Sequence, residues 1–597
     1  MMPPQSHSHL RVGLAQLKPK KADLEFNLAG IRQMMAEHMG AADLLVFAEA
    51  NLSGYFLEGG VAEVAVSAAD VAEGLGSPSP DCPDVVVGFY ERYRRRLYNS
   101  VGYFTPGPDA FETVHVHRKM FLPTYGVFDE ARFVEAGTEI RAFDTRFGRL
   151  GLLICEDMWH SFTTTILALG GAELIVAVSA SPARDFIKGG EGRPKNLSRW
   201  DALAPAAALE HGIFVVVSQL VGSEGGKIFP GGSMAVGPDG EVLARAPLFQ
   251  GGVTVASLDF ADIDRMKSPL LADLERALPG LRHSLETAGR SSEQDVGQKE
   301  RRPLAEPPGP PEAESDLRLP DGPDGTSLLD LDMGLVESVL LEFIREEVVR
   351  HRGFERVVIG LSGGVDSSVS LYLAVRALGA ENVFGFRMPY ATSSQDSLDH
   401  AALVLEDTGV QGRTIDITPA LDAYADGNEP DLSPLRRGNL AARIRSIVLF
   451  DQSAKIGALP LGTGNKSERL LGYYTWHADD SPPINPLGDL FKTQVWALAR
   501  HLGVPDVIID KPASADLIRG VHDEDELGIS YHLADPILHW LLKGYKPEEL
   551  RSRGFSPDDV DLVWQRLSAT HWKRELPTVA MISSSAIGEF YLRPVDY

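Results

Sequence analysis

Residues 355–379 read ERVVIGLSGGVDSSVSLYLAVRALG. The β-branched run at the start of this stretch has the composition of a buried strand, and the apolar spacing from Val369 onward is that of a helix. Between them lie Ser362, Gly363, Gly364, Val365, Asp366, Ser367 and Ser368. Glycines without a Cβ let an anion reach the backbone N–H groups, and the helix start beyond them offers unpaired donors and a positive dipole end. The loop is therefore expected to cradle phosphate, with the serines adding hydroxyl donors. Asp366 would repel a phosphate unless a magnesium ion sits between them. No GxxxxGK[ST] segment occurs, so the loop is not of the kind that holds a γ-phosphate with a lysine. A second strand-like run, NVFGFRMP at 382–389, follows the helix and completes a βαβ unit. These features predict an α/β doubly wound parallel sheet that binds a nucleotide.

Upstream, residues 328–350 have the pattern of an amphipathic helix, and residues 287–326 have no core-forming pattern at all. That stretch holds seven prolines and fourteen charged residues, with no aromatic. It cannot offset the entropy of ordering itself and is expected to be a flexible linker. The expected domains are 1–286 and 327–597, with limited proteolysis cutting first between them. A chain of 597 residues has room for two such cores. Its formal charge of -26 repels polyanions, which disfavours nucleic acid and anionic membranes as partners. Two cysteines, Cys82 and Cys155, are too few for a disulfide framework, and no long apolar run or charged leader is present. The expectation is a cytoplasmic protein.

The first half alternates strand-like runs with helical patterns: LRVGLAQL from Leu10, ADLLVFAE from Ala42, DVVVGFY from Asp84, RLGLLICE from Arg149 and AELIVAVSA from Ala172, with helices over 27–38 and 198–211. Asp239-Gly240 between two alternating runs predicts a hairpin. Three of the extended runs end in a reactive side chain: Glu49, Lys119 and Cys155. A cysteine attacks an amide as its thiolate, a lysine stabilises that anion, and a carboxylate accepts and returns protons. The trio suits acyl transfer, with Lys119 and backbone N–H groups after Cys155 holding the oxyanion.

Two resemblances extend this reading. SGGVDSS after a strand resembles the pyrophosphate loop of the ATP pyrophosphatase family, whose fold is adenine nucleotide alpha hydrolase-like. Within it, GNLAARIRSIVLFDQSAKIGALPLGTGNKSERLLGYYT from Gly438, INPLGDLFKTQVWALARHLGVP from Ile484, KPASADL from Lys511 and DEDELG from Asp523 resemble the NAD synthetases. That resemblance implies ATP binding by the loop with Thr463 and Lys492. It also implies a magnesium site at Asp366 and Glu468, and dinucleotide contacts from Asn439, Arg443 and Asp479. Arg443 and Arg445, two apart, cannot share one helix face, so one of them serves the substrate and the other the fold or a subunit interface. Trp476-His477-Ala478-Asp479-Asp480 replaces the Gly-Asp common in that family, and Val521-His522 stands where Gln-Thr is commoner.

Residues 10–260, above all RKMFLPTYGVFDEARFVEAG and CEDMW, resemble the nitrilase superfamily. This implies an αββα sandwich with Glu49 as base, Lys119 as oxyanion stabiliser and Cys155 as nucleophile, and with Tyr125, Phe128, Glu156 and Ser181 around glutamine. Fused, the halves resemble the glutamine-dependent NAD synthetases. The implied reaction is amidation of nicotinic acid adenine dinucleotide by ammonia from glutamine, with ATP and Mg2+, an ammonia tunnel and a homo-oligomer, often an octamer. Amidation of another adenylated carboxylate, or nucleotide sensing without turnover, remain open alternatives.

Overall fold

The computed structural model describes residues 9–574 except 58–59, 80, 125–127, 185, 187–192, 267–268, 295–328, 392, 430 and 514–521. The described residues form two compact units: one runs to residue 184 and from 193 to 294, and the other holds Phe186 and residues from 329 onward. None of the described helices is long and apolar enough to cross a membrane.

The first unit is built on two six-stranded sheets. In the first the strand order is Gly252–Asp259, His9–Gln16, Leu44–Phe47, Asp84–Tyr93, Arg96–Pro106, Phe111–Arg118; in the second it is Val242–Arg245, Met234–Val236, Phe214–Gln219, Leu174–Ser179, Gly148–Ile154, Phe143–Thr145. Strand alternation explains the layering. Val85, Val87 and Phe89 pack with Leu28, Ile31 and Met35 of the helix Leu24–Glu37. Val86 points the other way, into a core shared with Leu152, Val176 and Val216 of the second sheet. Trp200, Ala204 and Ala208 of the helix Ser198–His211 join that core from beyond the second sheet. The result is the expected αββα sandwich, laced by Ser218 Oγ donating to the Val46 carbonyl at 3.0 Å. The hairpin at Asp239-Gly240 forms, Met234–Val236 pairing antiparallel with Val242–Arg245 and Gly240 taking φ 83°.

The helix Pro269–Gln294 extends into the stretch expected to be linker, so residues 287–294 are helical. The remainder of that stretch, 295–326, lies outside the described residues.

The second unit is a parallel sheet of four strands in the order Gln411–Thr414, Val383–Arg387, Val357–Gly360, Leu459–Pro460. Val357 and Ile359 pack on one face with the helices Met333–Ile344, Val365–Leu378 and Lys492–Leu502. Val358 faces the other side, against Leu421, Ala441 and Leu449. The sheet is thus covered on both faces, as doubly wound folds are. The amphipathic helix expected over 328–350 begins at Met333, where Asp332 caps it by accepting from Leu335 N, and continues as a π-turn over Arg345–His351. A further helical cluster, centred on Tyr531, Leu538, Leu550 and Val563, completes the unit.

Candidate active sites

In the first unit Glu49, Lys119 and Cys155 each sit just past a strand end, at Phe47, Arg118 and Ile154 respectively. Lys119 and Glu49 are fully buried, and Cys155 is 8% exposed. Lys119 Nζ lies 2.8 Å from Glu49 Oε1 and 2.7 Å from Glu130 Oε1. Asn99 Nδ2 donates to the same Glu49 oxygen at 2.8 Å, and Ala180 N donates to Oε2 at 2.8 Å. Gly88 makes room for this turn, because a Cβ there would stand 2.8 Å from Glu49 Cα and 2.4 Å from the Ala48 carbonyl oxygen. Cys155 has φ 47°, a left-handed conformation costly for a side-chain-bearing residue, which turns the chain sharply from strand into the short helix Cys155–Trp159. Ser179 Oγ donates to Cys155 Sγ at 3.4 Å, and Ser181 Oγ lies 4.0 Å from the same sulfur while accepting from Trp200 Nε1 at 3.1 Å.

Glu130 is the residue that sequence reasoning missed. It is 7% exposed, accepts from Lys119 and from the Tyr55 hydroxyl, and its carboxyl is pushed up to about 6, chiefly by burial. The available signal was FDE within the quoted motif, eleven residues after Lys119. Its presence changes the electrostatics. A single lysine faces two carboxylates, so burial, reinforced by Glu49, outweighs Lys119 and pushes the Cys155 thiol up to about 12. A thiol raised in this way gives up its proton to a base as it attacks, with Lys119 stabilising the anion that forms.

Phe128 stacks on Phe56, with ring centroids 6.2 Å apart, beside a cavity that Tyr55, Tyr90, Glu130 and Lys227 also line. Glu156 is half-buried, 4.0 Å from His160 Nε2. Tyr125 lies outside the described residues.

In the second unit the glycine loop opens onto a cavity of about 540 Å³. Ser362, Gly364, Val365, Asp366 and Ser367 line it, with Thr463, Glu468, Lys492 and Asp479. Gly364 is the N-cap of the helix Val365–Leu378 and supplies no side-chain cap, which leaves the first N–H groups for an anion. Ser368 turns its hydroxyl back to the Gly364 carbonyl. Gly363 has φ +75°, and a Cβ there would stand 2.0 Å from the Ser397 carbonyl oxygen. Gly363→Ala should therefore displace the loop, costing about 2 kcal/mol or more of local stability, and should raise the KM for ATP about tenfold or more. Steady-state kinetics at varied ATP would check this.

Lys492 is 2% exposed and bridges two acids, with Nζ 2.5 Å from Asp366 Oδ2 and 3.2 Å from Glu468 Oε1. Asn465 orders both: Nδ2 donates to Asp366 Oδ1 at 2.9 Å, and its side chain and backbone exchange capping bonds with Glu468. Burial, with Asp366 and Asp523 nearby, pushes the Glu468 carboxyl up to about 8 despite Lys492. No group of three or more metal-ligating side chains is assembled among the described residues. Two hard carboxylates in a site with excess negative charge nonetheless fit magnesium, which takes its remaining ligands from water and phosphate oxygens.

Of the arginine pair, Arg445 lines the cavity and donates to the Met388 carbonyl at 3.0 Å. Arg443 is exposed and donates to the Trp476 carbonyl at 3.3 Å, and Asn439 accepts from the Thr475 hydroxyl at 2.9 Å. Neither Arg443 nor Asn439 lines this cavity. Asp479 does, and burial raises its carboxyl above the usual range. His477 adopts φ 57° beside Trp476, and His522 occupies the N-cap position of the helix Asp523–Leu527 without a side-chain capping bond.

Comparison with known proteins matches residues 336–577 to the NAD synthase family and residues 11–268 to the carbon–nitrogen hydrolase family. The NH(3)-dependent NAD(+) synthetase of Chlorobaculum parvum is 48% identical over 261 residues, covering 44% of this chain and 94% of that protein. The NH(3)-dependent enzyme of Fusobacterium nucleatum is 45% identical, covering 42% and 98%. Among solved structures, the glutamine-dependent NAD+ synthetase of Acinetobacter baumannii in complex with adenosine diphosphate covers 99% of this chain and 98% of its own, with a TM-score of 0.68 at 24% identity. The glutamine-dependent NAD(+) synthetase of Cytophaga hutchinsonii covers 95% and 94%, with a TM-score of 0.65 at 18% identity. These two likenesses establish the fold of the fused chain. With a glycine loop and acid–lysine cluster in the half that matches ammonia-dependent enzymes at up to 48% identity, the chain belongs to the NAD synthase family and carries a carbon–nitrogen hydrolase half ahead of its synthase half.

Proposed function

We propose that the protein makes NAD+ from nicotinic acid adenine dinucleotide, ATP and glutamine, releasing AMP, pyrophosphate and glutamate. One observation carries this: a synthase half closely similar to ammonia-dependent enzymes is fused to a half with a buried Glu49–Lys119–Cys155 site, a built-in source of ammonia.

In the amino-terminal half, taken as residues 1–286, Cys155 Sγ attacks the side-chain carboxamide carbon of glutamine. Glu49 takes the thiol proton as the bond forms and returns one to the departing ammonia. Lys119 and backbone N–H groups after Cys155 hold the oxyanion. Water, deprotonated by Glu49, then cleaves the thioester to glutamate. Tyr125, Phe128, Glu156 and Ser181 orient the amino acid.

In the carboxy-terminal half, taken as 327–597 and joined through 287–326, the nicotinate carboxylate attacks the α-phosphorus of ATP and pyrophosphate leaves. Ammonia attacks the resulting acyl adenylate and AMP leaves, so a poor leaving oxygen has been replaced by a good one. The loop from Ser362 to Ser368, Thr463 and Lys492 bind the phosphates; Asp479 binds the dinucleotide inside the cavity, and Asn439 and Arg443 bind the part of it that extends beyond the cavity lining. Asp366 and Glu468 would hold Mg2+, which when bound neutralises phosphate charge. The enzyme works in the cytoplasm as a homo-oligomer.

The test is NAD+ formation from the three substrates by the purified protein, with AMP and glutamate followed in parallel. The expected result is one AMP per NAD+. Failure to amidate the dinucleotide with ammonium present, or AMP formation with a different carboxylate only, would overturn the reading.

A further inference from the structure

Asp157 is fully buried and stands in neither catalytic role above. Its Oδ1 accepts from Met120 N and Phe121 N, both at 2.9 Å, and its Oδ2 accepts from Ile154 N at 3.1 Å and His117 Nε2 at 2.8 Å. Met120 and Phe121 directly follow Lys119, and Ile154 directly precedes Cys155. The two segments leave different sheets, since Phe111–Arg118 is an edge strand of the first and Gly148–Ile154 belongs to the second. Sheet hydrogen bonding therefore does not set the distance between the lysine and the cysteine.

We infer that Asp157 is a positioning residue for amide cleavage, tying the Lys119 segment to the Cys155 elbow across the two sheets; this rests on reading the amino-terminal half as a glutaminase. The chemistry of the four contacts makes the carboxylate hard to replace. All four partners are donors, and an ionised aspartate accepts at both oxygens. Asparagine places an NH2 toward one pair whichever way it is flipped. Facing the Oδ1 side it meets two backbone N–H groups, and facing the Oδ2 side it meets Ile154 N. Either way at least one buried backbone donor loses its partner. The strained φ of Cys155 raises the stake, because an elbow in a left-handed conformation persists only while its surroundings hold it.

The experiment uses the full-length protein with Asp157→Asn and His117→Leu. For Asp157→Asn, kcat for glutamine hydrolysis should fall about 100-fold, as a misplacement of about 1 Å does, with the KM for glutamine changed by less than about threefold because the binding residues are untouched. Ammonium-driven NAD+ formation should be unaltered. Hydrogen exchange should show lost protection at Met120 and Phe121, or at Ile154, according to the side the NH2 faces, while Leu174–Ser179 stays protected. His117→Leu removes one contact of four, so a kcat loss of about 3- to 10-fold is expected; it decides the matter if Asp157→Asn does not fold. Unchanged kcat in the folded variants, or equal loss in KM and kcat, would overturn the role. Should the wild-type protein not hydrolyse glutamine, the glutaminase reading fails. The exchange measurement then decides by itself whether Asp157 ties the two segments, and unchanged protection refutes it.

Discussion

Cys155→Ala should abolish glutamine as a nitrogen source, with a loss of about 10³-fold or more in glutamine-driven NAD+ formation. In the proposed reaction the sulfur is the nucleophile, and without it Glu49 and Lys119 would have nothing to activate. The proposed synthetase chemistry draws on Asp366, Glu468 and Lys492, which lie in a separate unit, and would need only that ammonia reach the acyl adenylate. Free ammonium at mildly alkaline pH, where more of it is deprotonated, should therefore restore NAD+ formation in the variant. The fold should survive, since alanine fits wherever the cysteine side chain did. The measurement is NAD+ produced from ATP and the deamidated dinucleotide with each nitrogen source. Wild-type rates with glutamine would exclude Cys155 as nucleophile, and no rescue by ammonium in a folded variant would refute two independent sites.

Asp366→Asn should produce the complementary pattern, with amidation lost about 10²- to 10³-fold from either nitrogen source while glutamine hydrolysis persists. The side chain now accepts from Asn465 through Oδ1 and from Lys492 through Oδ2. An asparagine can keep the first bond only by turning its NH2 toward the Lys492 ammonium, donor against donor. Lys492 then retains only Glu468 of its two carboxylates, and one anionic oxygen for magnesium is gone. The readouts are AMP formation at saturating Mg2+ and glutamate release in the same sample. Near-normal AMP formation would remove Asp366 from the site. Loss of glutamate release as well would show that the two activities cannot be separated by this change.

Much of the fold was legible because its signals are local. The strand, glycine loop and helix at 355–379 appear within a residue or two of their expected places, since a buried parallel strand must be continuously apolar and a helix start must expose donors. The helix Ser198–His211 and the Asp239-Gly240 hairpin follow equally from spacing and turn chemistry. The candidate residues Glu49, Lys119 and Cys155 could be chosen because each ends an extended run, and Asp366 because its charge beside a phosphate loop demands an explanation.

What only the tertiary structure decided depends on residues far apart in sequence. Glu130 joins Lys119 through a loop, and burial, reinforced by Glu49, raises the cysteine thiol against the pull of that lysine. No local pattern counts how many carboxylates will surround one buried lysine. Arg445 reaches the nucleotide cavity and Arg443 does not, because helix rotation against the sheet selects a face that spacing alone leaves undetermined. The helix through Gln294 enters a stretch whose composition argued for linker, and nothing in the local residue pattern announced it. Asp157 looked like one more acid in CEDMW until four buried donors converged on it. Sequence by itself determined which chemistry the chain carries, because reactive side chains and turn residues act through their own covalent structure. Folding alone decided their protonation and alignment, because both are set by burial and by neighbours that only the packed sheets bring together.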